Sequence, residues 1–232
     1  GSEEGRAVIG QVQKPLEEIL EYLEGKEKIV IVGCGGCATV FQTGGEEQVR
    51  EMAERLEERG KKVLAAIAPP FKEFTCYAPW SAERLKAHRR QIEECDAILA
   101  LCCGDGLQVI RGIVEKEFGL QKPIYPGVNP MGHMGGGPDL FEEKCQQCGE
   151  CELGRTAGIC PLTQCPKGIL NGPCGGVRPD GKCEVNPDQD CAWVMIYNRL
   201  KALGELEKMR KIAGPKDWSK MTRPRRISLA AD

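Results

Sequence analysis

The stretch "KIVIVGCGGCATVFQTGGEEQVREMAERLEERG", residues 28–60, decides how the fold is read. Its first five residues are a nearly continuous β-branched run, the pattern of a strand buried on both faces. From Glu46 the period changes. Val49, Met52, Ala53 and Leu56 stand at i, i+3, i+4 and i+7, acids fill the first turn and Gly60 closes the end. Strand, glycine loop and amphipathic helix make the opening of a βαβ unit.

The chain repeats the pattern outward from there. "PLEEILEYLEG" (15–25) precedes it as a short helix, and "KKVLAAIAPP" (61–70) follows as a second strand stopped by prolines. "SAERLKAHRRQIEEC" (81–95) predicts a helix with Ser81 as N-cap, burying Leu85 and Ile92, with His88 at the edge of that face. "AILALCC" (97–103) is a third strand, and "GLQVIRGIVEKEFG" (106–119) a helix with Leu107, Ile110 and Val114 inward. "KPIYPGVN" (122–129) is a fourth, shorter strand. Strands separated by helices of this length predict an α/β domain with a doubly wound parallel sheet of Rossmann or flavodoxin-like type. Such sheets bind ligands beyond the carboxyl ends of their strands.

The expected organisation is an N-terminal helix over 1–26, whose Gly1-Ser2 reads as a tag remnant, and an α/β domain over 27–138. A small cysteine-rich domain over 139–192 and a C-terminal helix with a basic tail over 193–232 complete it. The glycine-rich "NPMGHMGGGPD" (129–139) reads as a linker. "CAWVMIYNRLKALGELEKMRKI" (191–212) predicts a helix with Val194, Tyr197, Leu200 and Leu203 on one stripe. The tail beyond Pro215 reads as either a frayed end or a docking arm.

Fourteen cysteines and two histidines stand among 232 residues with a net charge of -2. That charge gives no bulk basic field for nucleic acid. No apolar run reaches membrane-spanning length and no signal peptide opens the sequence, so a cytoplasmic location is expected. Thiols stay reduced there, so cysteine-dense patterns point to metal ligation. With so few histidines, the sites must be mainly all-thiolate.

Cys145, Cys148 and Cys151 form C-x2-C-x2-C. Cys160-Pro161, Cys165-Pro166, Cys174, Cys183 and Cys191 follow, giving two sets of four. The tight triple is the spacing of ferredoxin-type runs, where a distant Cys-Pro completes a set, so two [4Fe–4S] clusters are expected. Either Cys160 or Cys165 can complete the triple. Zinc, which prefers paired C-x2-C knuckles, is the alternative, and with it a zinc-stabilised scaffold for a reductase partner. Farther upstream, Cys34 and Cys37 follow the first strand of the sheet, Cys76 the second, and Cys102 and Cys103 close the third. In a parallel sheet these ends share one edge, which makes Cys34, Cys37, Cys76 and Cys103 candidates for a third [4Fe–4S] cluster. Cys95, and Cys102 within its strand, fit ordinary buried thiols better.

Two other motifs are weaker. "GCGGCA" (33–38) fits a dinucleotide fingerprint, but Ala68-Pro69-Pro70 stand where the ribose-binding acid belongs. His133 to Gly136 has the H-x-x-G core of corrinoid sites, with Met131 in place of the expected acid. No acid–base or nucleophilic constellation appears, so no catalytic residues are expected.

"CGECELGRTAGICPLTQCPKGILNGPCGGVRPDGKCEV", followed by "CAWVMIYNRL", resembles the iron–sulfur small subunit (MetV type) of methylenetetrahydrofolate reductase from acetogenic bacteria. "VGCGGCATVFQTGGEEQV" and "CCGDGLQ" extend the resemblance into the first half. It implies a non-catalytic electron-transfer subunit of an oxidoreductase in one-carbon metabolism, the methyl branch of the acetyl-CoA pathway. Its partner would be a flavin-bearing (β/α)8-barrel subunit that reduces methylene-tetrahydrofolate to methyl-tetrahydrofolate. Further electron-donating subunits or a ferredoxin would feed it. The eight downstream cysteines fall on the family's cysteine positions, and Cys34, Cys37, Cys76 and Cys103 on its N-terminal ones. Relatives often carry one more cysteine near Phe41; if that residue is a ligand, the N-terminal site here is altered or uses Cys76 or Cys102 instead.

Overall fold

The computed structural model describes residues 9–133 and 141–225. It divides into two compact units, Gly1–Phe141 and Glu142–Asp232.

In the first unit, β2 (Lys28–Val32), β3 (Lys62–Ile67), β4 (Ala97–Ala100) and β5 (Ile124–Pro126) form a parallel sheet in the order β3–β2–β4–β5. The expected α/β class and parallel sheet are therefore what the chain adopts. β2 and β4 bury every residue except Lys28, as their apolar runs require. One face packs Leu16, Ile19 and Leu23 of α1 (Leu16–Tyr22) and its flank, with Val49, Met52 and Leu56 of α3 (Glu46–Glu58). The other packs Leu85 of α4 (Ala78–Ala87), Ile92 of α5 (Arg89–Glu94), and Ile110 and Val114 of α6 (Gly104–Lys116). Each fully buried aliphatic side chain of this kind contributes about 1.5–3 kcal/mol.

The order of the strands reverses between β2 and β4, because β3 lies to one side of β2 and β4 to the other. In sheets of this class such a reversal, at the carboxyl ends of β2 and β4, is where ligands bind.

Several expectations change. The helix predicted over 81–95 starts earlier, at Ala78 with Pro79 in its first turn, and breaks at His88. Ser81 is not its N-cap: it is buried inside the helix and its Oγ donates to Thr75 O at 2.8 Å. A short strand β1 (Ile9–Gln13) pairs antiparallel with β6 (Val128–His133), so 129–133 is strand rather than linker. Residues 134–139 of the predicted linker lie outside the described residues, as do Met134 to Gly136 of the H-x-x-G match.

The second unit has one long helix, α8 (Ala192–Leu203), and a single-turn α7 (Pro161–Gln164). Its core gathers Cys191, Trp193, Ile196 and Leu200. The buried stripe is thus 193/196/200; Tyr197 and Leu203 of the predicted stripe are exposed. Ordering a residue costs about 1–2 kcal/mol, so three large buried side chains cannot hold a segment this long by packing alone. Side-chain-to-backbone bonds supplement them. Trp193 Nε1 donates to Ile169 O at 2.8 Å, Arg199 Nε to Ala157 O at 2.7 Å, and Gln189 Nε2 to Gln164 O at 2.7 Å.

Candidate metal centres

The upstream cysteines come from the loops beyond the carboxyl ends of β2, β3 and β4. Past β2 the chain turns sharply. Cys34 N donates to Gly44 O at 2.9 Å, Thr39 Oγ1 to Cys34 O at 2.8 Å, and a four-residue helix α2 (Cys37–Val40) begins at Cys37. Gly35 is glycine because a Cβ there would stand 1.9 Å from Pro70 O of the loop after β3. That same loop carries Cys76, and Thr75 Oγ1 donates to Gly33 O at 2.7 Å, locking the two loops together. Cys103 is the residue before α6.

Electrostatics records the convergence. The Cys76 thiol is pushed up to about 11, first by burial and then by Cys103, Cys34, Asp105 and Cys37 as neighbours. Burial also raises the Cys103 thiol, opposed by the backbone N–H groups of Gly106 and Asp105. Cys76 is exposed as a residue, yet its thiol is close enough to these groups for their charges to raise it. Backbone N–H groups reach two of the sulfurs: Gly36 N donates to Cys34 Sγ at 3.4 Å, and Ile9 N to Cys37 Sγ at 3.3 Å. Cys102 and Cys95 sit in the apolar core; the Cys102 thiol is raised well above its usual value by burial, and Cys95 Sγ donates to Ile92 O at 3.2 Å. The neighbouring Asp105 carboxylate had no signal in the sequence beyond its place after Cys103-Gly104.

In the second unit Cys165, Cys174, Cys183 and Cys191 line one small cavity together with Lys167, Val177, Glu184 and Trp193. The lysine and glutamate are additions that cysteine spacing alone does not reveal. The backbone delivers each thiol separately. Cys165 ends α7, Cys191 precedes α8, and an isolated antiparallel bridge between Lys182 and Asp190 brings Cys183 back beside Cys191. Gly176 N donates to Cys174 Sγ at 3.4 Å.

Cys145, Cys148 and Cys151 lie on the preceding loop. Thr163 Oγ1 donates to Lys144 O at 3.2 Å and Gln164 Nε2 to Glu143 O at 3.4 Å, which seats the start of that loop against α7. Cys160 is the residue before α7. Gln147 N donates to Cys145 Sγ at 3.4 Å, repeating the i+2 bond seen at Cys34 and Cys174. Cys165 thus shares a cavity with the last three cysteines, and Cys160 is not among the residues that line it. Sequence left that choice open.

Through Arg225 the basic tail is neither frayed nor projecting. Ala213 N donates to Asn171 Oδ1 at 2.9 Å and Asp217 N to Glu150 Oε2 at 2.7 Å, while Arg225 Nη1 donates to Gln147 O at 3.1 Å. The Lys216 side chain is buried, donates to Glu150 O, and lies 4.0 Å from both the Glu150 and Glu152 carboxylates. The tail clamps the loop carrying Cys145, Cys148 and Cys151.

No disulfide joins cysteines among the described residues, and no three His, Cys, Asp or Glu side chains there form a group that could hold a metal ion. The thiols share cavities and crevices without meeting at a point. The dinucleotide reading of "GCGGCA" gains nothing: Pro70 O and the Phe74 ring cover the glycines that would have to face a pyrophosphate. No helix among the described residues is long and apolar enough to cross a membrane.

No curated protein and no solved structure matches the chain. A family does. Residues 126–219, which contain all eight downstream cysteines, match the family described as methylene-tetrahydrofolate reductase C terminal, and through that segment the chain is related to methylenetetrahydrofolate reductase.

Proposed function

We propose that the protein is an electron-transfer iron–sulfur subunit of methylenetetrahydrofolate reductase. It exchanges electrons with the flavin of a (β/α)8-barrel catalytic subunit that reduces methylene-tetrahydrofolate to methyl-tetrahydrofolate. The observation that carries this reading is the single cavity lined by Cys165, Cys174, Cys183 and Cys191, within the segment related to that enzyme.

The donor set fits in kind. Four thiols line the cavity and a backbone N–H reaches one of them, a donor set of the kind a [4Fe–4S] cluster uses. On this reading Cys165, Cys174, Cys183 and Cys191 hold one cluster, and Cys145, Cys148, Cys151 and Cys160 hold a second. Cys34, Cys37, Cys76 and Cys103 hold a third at the crevice of the sheet. Such clusters accept and release single electrons. The chain itself supplies the cysteine sulfurs, the backbone N–H groups that reach several of them, and the packing around them.

The direct test mixes the anaerobically purified, chemically reduced protein with a flavin-bearing methylenetetrahydrofolate reductase subunit and follows flavin absorbance. Bleaching of the oxidised flavin, at a rate that rises with protein concentration, is expected. A flavin that stays oxidised while the two proteins co-purify would favour a zinc-held scaffold instead.

A further inference from the structure

We infer that Lys167 and Glu184 form an opposed pair of charges set against Cys174, and that their balance fixes the reduction potential of the cavity centre. The inference rests on the reading that this cavity holds a [4Fe–4S] cluster.

Both side chains touch the sulfur. Lys167 Nζ lies 3.7 Å from Cys174 Sγ and a Glu184 carboxylate oxygen 3.6 Å from it, and the two are ion-paired with each other. Both line the cavity that the four thiols share. Space for the carboxylate exists because residue 176 is glycine: a Cβ there would stand 2.0 Å from the Glu184 carboxyl carbon. Gly176 also gives its N–H to Cys174 Sγ at 3.4 Å. Cys174 thus meets a cation, an anion and a backbone donor. The Cys145 sulfur shares only the last of these features, its N–H from Gln147.

The sign of each effect follows from charge. Reduction by one electron makes the centre more negative, so an adjacent ammonium stabilises the reduced form and raises the potential. An adjacent carboxylate opposes reduction and lowers it. The pair as built nearly cancels, and removing either member unbalances it in a known direction. Both residues are partly exposed, so salt screens the effect.

The test is a potentiometric EPR titration of the anaerobically purified full-length protein, at low and high salt. It compares the unmodified chain with Lys167→Met, Lys167→Arg, Glu184→Gln and Gly176→Ala. At the potential where the unmodified centre is half reduced, Lys167→Met is expected to shift the oxidised-to-reduced ratio roughly twofold to fivefold toward oxidised. Glu184→Gln is expected to shift it comparably toward reduced. Lys167→Arg, which keeps the charge, should stay near the unmodified value. Gly176→Ala, which displaces the flexible carboxylate but keeps the N–H donor, should move with Glu184→Gln. The shifts should shrink at high salt. A simple folding defect would not produce opposite signs from two surface substitutions. Equal ratios in all variants, or shifts of the same sign from Lys167→Met and Glu184→Gln, would overturn the inference while leaving the cluster reading intact. Stoichiometric zinc and no reducible signal in the unmodified protein would overturn both.

Discussion

Cys160 and Cys165 stand five residues apart, each followed by proline, and only the fold tells them apart. Cys165 lines the cavity with Cys174, Cys183 and Cys191, whereas Cys160 does not. Replacing either by serine should therefore remove a different centre. Iron should fall by about four atoms per chain in each case, with the signal sensitive to Lys167 lost only in Cys165→Ser. Loss of the same signal from both variants would contradict the partition. At the same scale Asp96 shows how one carboxylate starts the sheet. Its Oδ2 accepts from Glu27 N at 2.9 Å and Lys28 N at 2.8 Å, and these bonds hold its carboxyl below the usual aspartate value. A lowered pKa stabilises the fold above about pH 4, and that stability is lost as pH falls through the folded value. Asp96→Asn should cost about 1 kcal/mol near neutral pH. The gap in urea midpoint should narrow toward pH 3. A gap that widened on acidification would mean the carboxylate is not the stabilising form.

At the scale of elements, the tail belongs to the first thiol loop. Lys216→Met should leave the Glu150 and Glu152 carboxylates without their buried cation and cost about 1–3 kcal/mol. Ending the chain at Gly214 removes the whole clamp. Both changes should speed iron loss from one centre to a strong chelator while sparing the cavity centre, as followed by the visible absorbance of each; equal rates for both centres would show that the clamp does not guard the loop. The sequence announced the parallel strands clearly, because β2 and β4 are buried on both faces and read as unbroken apolar runs. It hid β1 and β6, since Pro130 and Gly132 are poor strand residues and a two-stranded ribbon needs little apolar alternation. Ser81 misled for another reason. Its hydroxyl bonds backwards to Thr75 O within the loop that carries Cys76, so tertiary contact overrode its preference for a cap.

At the scale of the molecule, the two units present different problems. The first has an extensive apolar core on both faces of its sheet and sets its thiols at a strand-order reversal, where this fold class places ligands. A parallel sheet alone makes that edge legible in advance, because its strand ends share one side. The second unit has a small core around α8, and its thiols come from turns, a bridge and two helix ends. Their pairing depends on long-range folding that spacing does not encode. On the proposed reading, metal binding there would supply folding energy as much as function. Removing metal with a chelator under reducing conditions should therefore unfold Glu142–Asp232 in large part. The parallel sheet should remain, as seen in a two-step loss of circular dichroism; a single step would mean that the units depend on one another. The central claim is that thiols in this chain hold iron–sulfur clusters. Anaerobic iron, sulfide and zinc analysis of the purified protein, with EPR of its reduced form, tests it most directly. About eight irons and eight sulfides per chain are predicted, rising to about twelve of each with the crevice centre filled. Stoichiometric zinc without sulfide, and no signal on reduction, would contradict it.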